Sequence, residues 1–130
     1  VISTAPKDHH SLLQLYLDGP KNKIFYIFSG ISKNKIKIKK NIFGNQLSFI
    51  KNKDLLEVVH AQKNAFIKVL QSKDIPFREF TINNFDEKTI GELFSYFIIE
   101  TVLIGKLTNV DPFNQPAVEK VKNLTKRYLL

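Results

Sequence analysis

Two rhythms of apolar positions run along this chain, one at helical spacing and one at strand spacing. Leu12, Leu13, Tyr16 and Leu17 recur at helical spacing, which predicts a helix over residues 9–17. Asp8 is its expected cap, and Gly19 with Pro20 its stop. Residues 24–28 read Ile-Phe-Tyr-Ile-Phe, a continuous β-branched and aromatic run that predicts a buried strand ended by Ser29 and Gly30. Residues 35–39 alternate lysine with isoleucine, as in an edge strand or arm with one apolar face. Residues 45–52 read as a short connector. Asp54 is placed to cap a long helix reaching Ser72, with Leu55, Val59, Phe66 and Leu70 facing inward. A second strand is expected over residues 76–82, after a loop containing Asp74. Asp86 is placed to cap a helix over residues 87–107, with Ile90, Leu93, Phe94, Phe97 and Val102 inside. A last helix is expected over residues 116–127.

Strands separated by long helices point to an α/β layered fold. At 130 residues one domain is expected, long enough to bury a core. Residues 94–105 are very apolar, but a membrane span needs ~20 residues and this run carries Glu100. A buried central helix is the expected reading.

Composition changes this picture only in places. There is no cysteine, so neither a disulfide framework nor a thiolate metal site is available. That fits a cytoplasmic location. Val1 opens without an initiator Met and the chain has no methionine, so a piece of a longer protein is expected. The net charge of +8 allows nucleic acid, anionic lipid or anionic metabolites as partners. The lysines are scattered, and lysine, asparagine and isoleucine are all abundant, so the charge reads as a compositional habit. Only residues 33–40, with Lys33, Lys35, Lys37, Lys39 and Lys40, suggest a nucleic-acid arm. Lysines that protect an edge strand against pairing explain the run better, so a nucleic-acid-binding domain is the second reading.

Two runs could carry chemistry. The first is Val-Asp-Pro-Phe-Asn-Gln-Pro-Ala-Val-Glu-Lys-Val-Lys, residues 110–122. Pro112 biases Asp111 towards an extended conformation. Asn114 or Gln115 suits the cap, and Pro116 suits the first turn. Gln115 and Lys122 then lie two turns apart near one helix face. A helix start with a donor side chain and a nearby ammonium favours an anion. The second run is Pro-Lys-Asp-His-His-Ser with Gln14 following, residues 6–14, which puts His10 in the first turn of a helix. An imidazole there can exchange a proton near neutral pH. His9 and His60 carry no expected role. No cysteine or spaced carboxylate turns the three histidines into a metal site, and no cofactor is expected.

The run over residues 110–122 resembles the C-terminal signature of the glucose-6-phosphate isomerase family, approximately N-P-F-(D/N)-Q-x-(G/A)-V-E-x-x-K. The run around His10 resembles that family's H-S-x-x-Q segment, with Ser11 and Gln14 in phase. Residues 89–93 resemble its L-G-x-L segment. Ile98 stands where many members have an acidic residue, which leaves the face of Glu100 open, and Thr108 stands where an apolar residue is common.

This resemblance implies a three-layer α/β sandwich with a mainly parallel sheet flanked by helices. Residues 1–130 would be the C-terminal part of its second sugar-isomerase domain. It implies a sugar-phosphate substrate, ring opening assisted by His10 with Lys122 as acid partner, and Gln115 orienting the sugar. It implies a homodimer in which His10 reaches the neighbouring subunit's site, with no membrane or nucleic-acid partner. The glutamate that moves the proton between C1 and C2, and the arginine that steadies the enediol, match no residue here. The segment alone is therefore expected to be inactive. A bifunctional relative with the same isomerase end is a nearer alternative.

Overall fold

The structure, a computed structural model, describes residues 2–32, 34–39 and 45–130. The chain divides into two compact units, Val1–Asn84 and Phe85–Leu130.

The first unit is built on a β-α-β crossover. Strand β1 (Phe25–Gly30) and strand β2 (Phe77–Ile82) run parallel, with Phe25 opposite Phe77 and Gly30 opposite Ile82. Helix α1 (His9–Asp18) precedes β1, and helix α2 (Leu55–Ser72) connects the strands, as a parallel pair requires. Both helices meet the sheet face that carries Phe25. The Phe25 ring lies edge-on to Tyr16 of α1 and to Phe66 of α2, each at 5.6 Å. On the opposite face Phe80 stacks against Tyr26 at 6.0 Å and Phe28 at 5.0 Å, and the Arg78 guanidinium sits over Tyr26. Among the described residues Leu70 and Ile75 are the buried hydrophobic side chains. They flank the tight link from α2 to β2, where Ile75 N–H donates to the Leu70 carbonyl at 3.0 Å and Asp74 takes φ 53°. Aspartate tolerates that left-handed conformation at a helix end better than most residues.

Asp54 caps α2 as expected, accepting the Leu56 N–H at 2.9 Å. The inward face of α2 differs from the expected one. Leu55 and Val59 are 46% and 38% exposed, while Leu56, His60, Lys63, Phe66 and Leu70 turn inward. Polar His60 and Lys63 are tolerated there because each finds a partner. The His60 Nε2–H donates to the Gly30 carbonyl at 3.4 Å, and the Lys63 ammonium pairs with Glu79 and reaches Ser29 at 3.4 Å.

Strand β1 is not buried on both sides. Phe25, Ile27 and Ser29 are half-buried, while Tyr26 and Phe28 are exposed. A run apolar on both faces needs a layer on each. The alternating run 35–39 is no edge strand of this sheet. Lys37 forms an isolated antiparallel bridge with Asp54, and Ile36 and Ile38 exchange backbone bonds with Leu55, Asn52 and Lys53. The ends of the basic run, Lys33 and Lys40, lie outside the described residues. The expected connector contains a short 3₁₀ segment, Asn45–Ile50.

The second unit holds helix α3 (Glu87–Leu107) and helix α4 (Pro116–Leu129). Asp86 caps α3 through the Thr89 N–H at 2.8 Å. Leu93, Phe97 and Glu100 share its least exposed stripe, which gives Glu100 a face. The expectation of a buried helix fails: Gly105 is its buried residue, while Ile90, Phe94, Ile98 and Leu103 are about half exposed or more. A helix apolar all round needs neighbours on every side. Within this length of chain it is shielded along one stripe. No helix among the described residues is long and apolar enough to cross a membrane.

Candidate functional site

The chain reaches α4 through a loop folded back on the end of α3. Thr108 closes α3: its N–H and its hydroxyl both donate to the Ile104 carbonyl, at 2.9 and 2.8 Å. This gives a use for a polar residue where an apolar one is common. Asn109 then takes φ 56°, and Val110 N–H returns to the Gly105 carbonyl at 2.8 Å. Asp111 accepts the Phe113 N–H at 2.9 Å, a local turn that a short carboxylate favours.

Gln115 stands at the cap position and Pro116 at the first helical position. The Gln115 side chain makes no capping bond, so the helix does not consume its amide; its carbonyl starts the helix by accepting from Glu119 N–H at 3.2 Å. Lys122 follows two turns on, and its ammonium donates to Glu119 Oε1 at 2.7 Å. Gln115, Glu119 and Lys122 are four and three residues apart in succession, so all three share one stripe of α4. Lys122 and Glu119 are exposed.

His10 is exposed on the first turn of α1, in the other unit. Asp8 does not cap this helix. Its own backbone is already helical (φ −80°, ψ −8°), and its carboxylate turns back to accept the Thr4 N–H at 2.6 Å. His9 is not an idle surface residue: its ring lies 5.3 Å from Phe66 and is half-buried. A further bond joins the Ser3 and Tyr16 hydroxyls at 2.6 Å. Together these contacts fix the start of α1 and leave the His10 side chain to solvent. Thus Gln115 and Lys122 are brought together on one helix, and His10 belongs to the other unit.

A second polar place went unread in the sequence. At the carboxyl end of β1 a cavity of about 520 Å³ is lined by Ser32, Lys35, Asp54, Glu57, His60 and Asn64, among others. Asp54 Oδ2 is buried there, with no hydrogen-bond partner among the described residues. The signal was present in part, since crevices in open α/β sheets lie beyond the carboxyl ends of strands. Lys53, at 2.6 Å, holds the Glu57 carboxyl below its usual range. Among the described residues no group of three or more His, Asp or Glu is placed to hold a metal ion.

No protein-family model matches the chain. It is 29% identical to a glucose-6-phosphate isomerase of Methanocaldococcus jannaschii over 99% of its own length and 32% of that protein's. It is 33% identical to a probable glucose-6-phosphate isomerase of Haloarcula marismortui, over 92% of the chain and 27% of the relative. Against the glucose-6-phosphate isomerase of Campylobacter jejuni the figures are 30% identity, 95% and 30%. Among solved structures, a hypothetical protein from Thermus thermophilus superposes with a TM-score of 0.80 at 25% identity, covering 96% of this chain and 30% of that one. The chain spans about a quarter to a third of the length of the curated relatives it matches. Along nearly its whole length, then, the chain is similar to one segment of glucose-6-phosphate isomerases.

Proposed function

We propose that these residues form part of an aldose–ketose isomerase that interconverts glucose 6-phosphate and fructose 6-phosphate through ring opening and a cis-enediol. The observation that carries this reading is the run over residues 110–122. It combines a resemblance to the isomerase signature with a helix start that carries Gln115 and Lys122 on one stripe. Gln115 orients the sugar and Lys122 acts as acid partner in ring opening. His10, solvent-facing at the start of α1, exchanges the ring-oxygen proton.

A base for transfer between C1 and C2 has no candidate in this chain. A placed base is worth ~10²–10⁴-fold, and electrostatic support of the developing oxyanion is often the largest single contribution. The 130 residues alone are accordingly inactive in this proposal. The complete enzyme is a cytoplasmic homodimer in which His10 serves the neighbouring subunit's site. It needs no cofactor.

The test is steady-state conversion of fructose 6-phosphate by the full-length polypeptide. His10→Ala and Lys122→Ala are each expected to lower kcat at least ~10²-fold. Wild-type turnover in both variants would remove the site assignment, and full activity from the 130-residue chain would remove the account of the absent base.

A further inference from the structure

We infer that Glu119 is a positioning residue for Lys122, one that draws its ammonium towards Gln115. The inference deepens the functional proposal and rests on its reading of Lys122 as acid partner.

A lysine ammonium rides on a flexible four-carbon stem and has no intrinsic direction. On α4 it is also under a bias. The amino-terminal end of a helix carries partial positive charge, which pushes a cation away from Gln115. Lys120, Lys126 and Arg127 share the helix and offer Lys122 no attraction. Glu119 supplies the opposing force. It lies on the amino-terminal side of Lys122 and on the same stripe, between it and Gln115, and its Oε1 accepts the Lys122 bond at 2.7 Å. A swing of Lys122 onto this carboxylate is a swing towards the other candidate site residue of this helix.

Stability is a poor explanation for the pair. Both side chains are more than half exposed, at 65% and 61%, and exposed pairs at this spacing add little to folding. A bound ligand that excludes water strengthens the same contact, because the charges then interact through a lower dielectric. The pair therefore matters most when the site is filled.

The experiment is a double-mutant cycle in the full-length polypeptide, with kcat and KM for fructose 6-phosphate measured for Glu119→Gln, Lys122→Ala and the combination. Glu119→Gln keeps the shape and removes the charge. It is expected to lower kcat about tenfold, the scale of one charged hydrogen bond, while KM moves less than about twofold. The combined variant should be no slower than Lys122→Ala, and Glu119→Asp should regain part of the lost kcat. An acid that merely steadies the first turn of α4 would lower the melting temperature and leave the two losses multiplicative; that outcome overturns the inference, as does wild-type kcat in Glu119→Gln. Wild-type kcat in Lys122→Ala would instead remove the parent reading of Lys122.

Discussion

Gly105 lies directly beneath Val110. A Cβ built on the glycine would stand 2.9 Å from the Val110 carbonyl oxygen and 3.1 Å from two carbons of Pro112. The requirement is space, since the loop that delivers Gln115 must double back over the last turn of α3. Gly105→Ala is expected to cost ~1–3 kcal/mol, the usual scale of overpacking, read by urea unfolding. Gly91 is the control, with no atom of the described residues within 4 Å of its Cβ position. Gly91→Ala should stabilise the chain by ~0.5–1 kcal/mol through helix propensity. Equal effects from the two substitutions would refute the packing argument.

The two aspartates at helix starts make unequal contributions. Asp86 accepts the Thr89 N–H at 2.8 Å, so Asp86→Ala should loosen the first turn of α3. Asp8 makes no capping bond to α1. Asp8→Ala should leave the helicity of α1 unchanged and loosen the segment around Thr4. Amide exchange separates these: protection is lost at Thr89 in the first variant and at Thr4 in the second.

Much of this architecture was legible because its signals are local. The caps at Asp54 and Asp86, the stop at Gly19 and the run 110–122 each depend on neighbours within a few residues. The face of α2 was misread because its deciding contacts are distant in sequence. Leu55 and Val59 are apolar and correctly spaced, yet His60 and Lys63 turn inward because Gly30, Ser29 and Glu79 supply partners. The burial of β1 and α3 was overestimated for a related reason. An apolar run states that partners are needed, and it does not state that these 130 residues contain them. That Gln115 and Lys122 share one face of α4 was legible from helix spacing, whereas the roles expected of them came from the resemblance alone; the bond from Lys122 to Glu119 depends on a side-chain rotamer, although both residues stand in the V-E-x-x-K part of that signature.

Adjacent histidines at the start of α1 should behave differently. His9 packs against Phe66, with ring centroids 5.3 Å apart, and Phe66 in turn meets Phe25. Aromatic contacts of this kind add ~0.5–1.5 kcal/mol beyond area burial. His9→Ala should therefore lower the stability of the first unit by about 1 kcal/mol, while exposed His10→Ala should change it by less than ~0.5 kcal/mol. Urea unfolding followed by circular dichroism decides, and equal losses would contradict the orientation of α1.

The ion pair between Asp18 and Lys73 makes a pH prediction whose sign is fixed. Lys73 Nζ donates to Asp18 Oδ1 at 2.6 Å, joining the last residue of α1 to the residue after α2. That bond, then the charge of Lys73, holds the Asp18 carboxyl below its ordinary value of 3.8, and a bond from Gln14 adds to it. A carboxyl whose value is depressed by folding binds protons more readily in the unfolded chain. Its contribution is present in full above the ordinary value and disappears as pH falls through the lowered one. Both groups are solvent-accessible, so salt should weaken the effect. In Lys73→Met the Asp18 carboxyl should titrate closer to 3.8 than in the wild type. Carbon-detected NMR titration of the Asp18 side chain measures this directly. An unchanged Asp18 titration in that variant would show that α1 and α2 are not joined by this pair.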